Sequence, residues 1–186
     1  QLEFQITDRT SFTRFLGLHD GETIPDYTSF WGFRESLKEK GLERNLFDQF
    51  SAKLEAEGVY AKSGSIIDAT IVEVPKQRNS REENAKIKAG HVPVEWDETK
   101  SCHKDTDARW VKKNGVSFFG YKNHIKTDAG TSLITDYRVT AANTHDSVAL
   151  KELVNETDAG KTLHADSAYT GEEIEQVLKD LKIENK

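Results

Sequence analysis

The sequence is short of several things, and each shortage removes a class of protein. Its one cysteine, Cys102, rules out an internal disulfide framework and suits a reducing compartment. No segment approaches the roughly 18 consecutive apolar residues that a membrane-spanning helix needs, so no span is supported. The start, QLEFQITD, lacks the basic stretch followed by an apolar one that marks a secretory signal. Because it begins inside an apolar–polar pattern, an upstream portion is expected to precede it. None of His19, His91, His103, His124, His145 and His164 belongs to an HExxH unit, and Cys102-His103 is an isolated pair without partners at zinc-finger spacing. Glycine-rich phosphate loops of the P-loop and dinucleotide types are absent, as is a GxSxG nucleophile turn.

What is present is a chain of 186 residues, room for one or two domains. Hydrophobic residues make up 35% and charged residues 31%, the balance of a soluble chain with a modest core. The net charge of −6 taken alone argues weakly against a nucleic-acid partner. Its distribution says otherwise: residues 76–126 hold 12 Lys or Arg against 7 Asp or Glu, and the remainder 14 against 25. A basic segment inside an acidic chain can contact phosphate, or can be a solvated insertion paired with acidic neighbours.

Apolar spacing predicts helices across residues 11–57. SFTRFLGL (11–18) breaks near His19-Asp20-Gly21, a second helix follows Pro25-Asp26 with Phe30, Phe33 and Leu37 on one face, and a third runs over about 42–57. These stripes read as a small helical core, with a DNA-reading helix as the alternative. Residues 65–74, rich in Ile, Val and Thr, are the first strand. Residues 75–115 are polar and charged, too long for an ordinary connection, and predict an insertion loop with local helix near 80–89. Then VSFFGYKNHIKTD (116–128) and SLITDYRVTAA (132–142) form a hairpin pattern, followed by a helix from about residue 144, a short strand at 161–165 and a helix over 172–181. No closing element is expected after that helix. The order favours a mixed sheet with helices packed on it.

Two aspartates stand out. Asp68 interrupts the apolar strand SIIDATIVEVP, on the face of Ile66, Thr70 and Val72. A lone carboxylate there is expensive to bury, so either the strand is an edge with a wet face or a cation occupies the site. Asp166 ends the strand in KTLHADSAYTG, where sheet proteins commonly hold ligands. They lie 98 residues apart in sequence, and converge only if their strands are neighbours. Two close anions then need a cation, and Mg²⁺ or Mn²⁺ would serve with oxygen ligands. Such a pair suits phosphodiester chemistry. Alternatively Asp68 hydrogen-bonds a neighbouring loop and Asp166 caps the turn before Ser167; spacing leaves both readings open.

Several ordered motifs resemble the DDE-type transposases of prokaryotic insertion sequences, in the four and five superfamily. IDATIVEVPKQRNSREEN (67–84) resembles the first catalytic strand and its sequel, and KDTDARWVKKNGVSFFGYKNHIKTD (104–128) the stretch leading into the next strands. VTAANTHDSVALKELV (139–154) resembles the following helix, HADSAYTG (164–171) the second catalytic motif, and IPDYTSFWGFRESL (24–37) the helical N-terminal region. The resemblance implies a ribonuclease-H-like α/β fold: a helical region over 1–60, then a catalytic domain over 61–186 with an insertion at about 75–115 and its C-terminal part missing. It implies Asp68 and Asp166 as catalytic, metal-holding residues for Mg²⁺ or Mn²⁺.

By the same resemblance the partners are double-stranded DNA at transposon ends and target DNA, with a homo-oligomer or a full-length transposase as further partners and a cytoplasmic, nucleoid-associated setting. Lys76, Arg78, Arg81, Arg109, Lys112, Lys113, Lys122 and His124 are the candidate DNA contacts. Lys122 and His124 share a strand face with Gly120, near the metal or a phosphate, or else supply ordinary edge-strand polarity. Trp110 stacks on an unpaired base or joins an insertion core. The family's third carboxylate, a glutamate preceded by Tyr and Arg, has no match: Glu172, Glu173 and Glu175 follow Asp166 too closely. The expectation is a fragment with impaired or no activity alone, or a non-catalytic DNA-binding or regulatory derivative.

Overall fold

The structure, a computed structural model, describes residues 2–19, 21–166, 169 and 171–185, and divides into two compact units, Gln1–Glu57 and Gly58–Lys186. The first unit is built of helices α1 (Leu2–Asp8), α2 (Thr10–Phe15), α3 (Tyr27–Glu39) and α4 (Glu43–Ala56). Asp26 starts α3 by accepting the Ser29 N–H on its carboxylate (2.8 Å), which satisfies one of the orphan donors of the first turn. Among the described residues, the stripes of α3 and α4 do not form the expected small helical core. Neither α3 nor α4 buries a side chain, and Phe33, Trp31 and Phe50 are each about 60% exposed. The aromatic residues of α3 at 27, 30, 31 and 33 spread around nearly half the helix, too wide for one neighbour to cover.

The second unit carries β1 (Gly64–Glu73), α5 (Arg81–Lys88), α6 (Glu98–Cys102), β2 (Arg109–Lys113), β3 (Val116–Asp128), β4 (Ile134–Ala141), α7 (Asp146–Leu153), β5 (Thr162–Ala165), α8 (Glu172–Asp180) and β6 (Glu184–Asn185). The strands form one sheet in the order β2-β3-β1-β5-β6, with β4 also paired to β3. β1 runs antiparallel to β3 and parallel to β5, and β5 runs parallel to β6. Ile67 and Leu163 of the sheet, Leu150 and Leu153 of α7, and Ile174 and Leu178 of α8 make one core. β1 alternates accordingly: Ile67 is buried, while Ile66 and Asp68 are exposed. A mixed sheet of this order, with crossover helices on its core face, is the ribonuclease-H-like α/β arrangement.

The segment 75–115 holds more order than its polarity suggests. Helix α5 falls where local helix is expected, but α6 and β2 are additional. Strand β2 pairs with β3 across Asn114-Gly115, whose φ values of 51° and 82° are the left-handed pair of a tight hairpin turn. At the other end, Glu184–Asn185 closes the sheet against β5, where no closing element is expected from sequence.

The insertion is organised around Trp96, which is buried and donates its indole N–H to Glu83 (2.7 Å). Lys100 donates to the same carboxylate oxygen (2.6 Å), and Glu83 closes a capping box with Ser80. The Lys100 hydrogen bond, then those from the Ser80 backbone and Trp96, hold the Glu83 carboxyl at about 2 against an ordinary 4.5. A depressed folded-state pKa contributes stability above the ordinary value and loses it as pH falls through the folded one. In a Trp31→Phe, Trp110→Phe background, Trp96 fluorescence should therefore hold steady above pH 5 and shift between about pH 4.5 and 2. Glu83→Gln should abolish that transition; a transition of the same midpoint in the variant would remove Glu83 as its cause.

Candidate metal and nucleic-acid site

The side chain of Asp68 sits on neither an edge strand nor in the core. β1 is interior, flanked by β3 and β5, and Asp68 lies on the exposed face of the strand opposite Ile125 of β3. The parallel register with β5 ends at the pair Ile67 with Ala165, and Asp68 and Asp166 are the next residues on their respective chains. Residues directly opposite in neighbouring strands share a face. The two aspartates distant in sequence thus each lie one residue past that last pair, both exposed to solvent. The Tyr169 phenol, pushed up first by burial, is pushed further by the charges of Asp146, Asp68 and Asp166, so all three carboxylates bear on one hydroxyl. The turn-capping alternative for Asp166 falls on Ser167, outside the described residues. The Asp166 carbonyl accepts the Tyr169 backbone N–H (2.9 Å).

Among the described residues no group of three or more His, Cys, Asp or Glu side chains is gathered for a metal. As donors, the exposed carboxylates of Asp68 and Asp166 are an oxygen-only set. It fits a hard divalent cation that keeps several of its waters, and does not fit zinc.

The other face of the sheet holds a different polar group. His124 pairs with Ala69 and Lys122 with Ile71, so both project onto the face opposite Asp68. His124 is fully buried; Nδ1 lies 3.2 Å from the Tyr169 hydroxyl and Nε2 3.0 Å from the Thr140 hydroxyl. Burial lowers its pKa, which keeps the ring neutral at pH 7. Lys122 donates to Asp146 (2.7 Å) and to the Thr144 carbonyl (2.8 Å), bridging β3 to the start of α7. The expected phosphate-facing placement of these two side chains gives way to packing between sheet and helix. Edge-strand polarity does not describe them either, because β3 is bordered on both sides by β1 and β4. Tyr169, Asp146 and Thr140 were not singled out from sequence; the available signal was Tyr169, three residues past Asp166 in the same motif.

The remaining basic candidates separate by what their heads touch. Lys76 lies over the Trp110 ring at 5.7 Å, and Trp110 itself packs against Phe119 with ring centroids 5.3 Å apart. Trp110 stays about half exposed, whereas Trp96 is the aromatic residue that forms the insertion core. Arg78, Arg81, Lys112 and Lys113 are exposed. The Arg109 guanidinium is turned inward onto the carbonyls of Thr106 (2.6 Å), Ala108 (3.0 Å) and Ile87 (3.3 Å), so it pins the insertion to its own strand. A cavity of about 780 Å³ between the end of β1 and the segment after α6 is lined by the basic Lys76, Arg78 and Lys104 and by the acidic Asp105 and Asp107, with His103 beside them. Among the described residues, no helix is long and apolar enough to cross a membrane.

Residues 60–184 match the family model described as transposase DDE domain. The chain is 31% identical over 162 residues to the transposase for insertion sequence element IS1106 of Neisseria meningitidis serogroup B, a match covering 84% of this chain and 53% of that protein. It therefore spans about half the length of that curated relative. Two solved structures align over the whole chain: a Mos1 transposase paired-end complex with left transposon end (14% identity, TM-score 0.35, 53% of that chain) and a pre-cleavage Mos1 transpososome (12%, 0.33, 54%). Structural similarity this low carries no argument about this chain.

Proposed function

Because the chain belongs to the DDE-domain transposase family, we propose that Asp68 and Asp166 are two of the carboxylates that hold divalent metal for DNA strand cleavage and transfer at the ends of a mobile element. The parallel register of β1 and β5 is the observation that carries this reading. When bound, Mg²⁺ or Mn²⁺ would supply Lewis-acid stabilisation of charge on phosphate oxygens and a more acidic water. The protein's part is positional: Asp68 is held in mid-strand by its pairing with Ile125 of β3, and Asp166 emerges at the next strand's end. Lys76, Arg78 and Arg81 follow β1 directly, and with Lys112 and Lys113 they provide exposed positive charge for the DNA backbone. Such contacts give affinity that is salt-sensitive and largely indifferent to sequence. Arg109, Lys122 and His124 act through the fold instead, since their polar atoms are committed to protein partners. With two such carboxylates and no matching Tyr–Arg–Glu signature in the 186 residues, the chain by itself is proposed to bind metal and DNA without efficient strand transfer.

Titration with Mn²⁺ followed by electron paramagnetic resonance tests the metal pair. Asp68→Asn and Asp166→Asn should each weaken binding by about tenfold or more, the scale on which metal sites respond to lost partners. Wild-type affinity in both variants would end the assignment. In parallel, duplex DNA binding by fluorescence anisotropy should weaken steeply with salt, and replacing Lys76, Arg78 and Arg81 by Gln should flatten the log–log slope by about 2–3.

A further inference from the structure

The two aspartates are held by different means. Asp68 is paired with Ile125 of β3, but Asp166 lies one residue beyond the last pair of β5, Ile67 with Ala165. Strand pairing therefore stops short of Asp166. The structure supplies a second attachment. The Tyr169 N–H donates to the Asp166 carbonyl (2.9 Å), tying residue 169 back to residue 166. The Tyr169 side chain is only 2% exposed and belongs to the core with Ile67, Leu163 and Ile174. Its hydroxyl meets His124 Nδ1 (3.2 Å), and His124 Nε2 meets the Thr140 hydroxyl of β4 (3.0 Å). A neutral imidazole has one N–H and one lone pair, so the ring accepts on one side and donates on the other, and both nitrogens are satisfied. His124 in turn pairs with Ala69, the residue after Asp68.

We propose that Tyr169, through its bond to the buried His124, is a positioning residue that fixes Asp166 beside Asp68. The strut runs beneath the sheet face that carries the aspartates, from β4 through the His124 ring to the chain just after β5. Its length is set by two hydrogen bonds and a rigid phenol ring, not by a flexible side chain. Asp146 lies near the same ring, 4.0 Å from Nδ1, but it is already engaged by Lys122, which leaves the Tyr169 hydroxyl as the nearer partner of that nitrogen. This role rests on the metal reading of the two aspartates, and the two can fail separately.

Tyr169→Phe keeps the ring and deletes only the hydroxyl, but it leaves a buried imidazole nitrogen without its partner. The double variant Tyr169→Phe, His124→Leu removes both polar groups of that bond and leaves the Thr140 hydroxyl, on a half-buried residue, to water, so it can be nearly neutral for stability. A purely structural hydrogen bond would be rescued in the double variant; a positioning strut would not. In both variants the residue-169 amide should lose about tenfold of its hydrogen-exchange protection while the Ile67 and Leu163 amides keep theirs, and Mn²⁺ affinity should fall about tenfold. Wild-type protection at residue 169 in the double variant would overturn the strut, whatever Asp166→Asn does. So would lost protection with wild-type Mn²⁺ affinity, provided Asp166→Asn weakens the metal. An Asp166→Asn variant that binds Mn²⁺ as the wild type does overturns the metal reading instead.

Discussion

Asp158→Ala should destabilise the sheet-bearing unit by about 3–5 kcal/mol, the usual result of stranding one member of a buried ion pair. Lys126 lies near the C-terminal end of β3, opposite Ile67 and on the helix-covered face. Its ammonium donates to Asp158 (2.5 Å) and to the Leu153 carbonyl at the end of α7 (3.0 Å), with the two side chains 5% and 8% exposed. Asp158 closes a short 3-10 turn, Glu156–Asp158, where it also accepts the Asn155 N–H (3.0 Å). Without the carboxylate, the ammonium keeps one carbonyl and no counter-charge in a place water does not reach. The pair itself need not stabilise much, because desolvation offsets most of its attraction. Lys126→Met combined with Asp158→Leu should therefore recover most of the loss, although each ion is gone. Urea unfolding with an unchanged m-value is the measurement. An Asp158→Ala midpoint equal to wild type would mean that the lysine finds water or another anion. Because Lys126 is two residues from His124 on the same face, this pair also holds down the part of β3 that supports the aspartates.

Gly120→Ala should cost about 3 kcal/mol and lower the melting temperature by roughly 10 °C, the upper end for overpacking because the obstacle is backbone. At φ +155° a Cβ on residue 120 would lie 2.1 Å from the Val72 carbonyl oxygen and 3.1 Å from the Glu73 Cα. β3 meets three neighbours at this residue: Glu73 of β1, Arg109 of β2, and the Ala142 N–H, which donates to its carbonyl (3.1 Å). None of these can swing away as a flexible side chain would. The strain should be relieved by opening the end of β1, so the Val74 amide, which bonds the Phe119 carbonyl (3.0 Å), should exchange faster than the Ile67 amide. A melting temperature within a degree of wild type would show that the strands can separate here without penalty.

Much of the element order was readable in advance because it rests on local chemistry. Asp26 before Tyr27, the Ile/Val/Thr run around Asp68, and Ala129-Gly130-Thr131 between two alternating segments each specify their element within a few residues. Two of the elements not expected from sequence differ in the local signal they carry. Asn114-Gly115 between alternating flanks is a strong hairpin cue, and it was hidden by the polarity of the segment before it. Glu184–Asn185 has no apolar pattern at all; it is a strand only because β5 offers it an open edge.

By itself, then, the sequence determined which residues are candidates for chemistry: Asp68 inside an apolar strand, Asp166 at the end of another, and a basic stretch after the first. Residue type and near-neighbour spacing suffice for that. What only the tertiary structure decided was which of them meet. A side-chain period of two means that one step in the β1–β3 register moves His124 and Lys122 from the face of Asp68 to the face of Ile67. The register itself is set by core packing between residues far apart in the chain. The N-terminal aromatic stripes show the same limit from the other side, since periodicity identifies a face but not whether anything covers it.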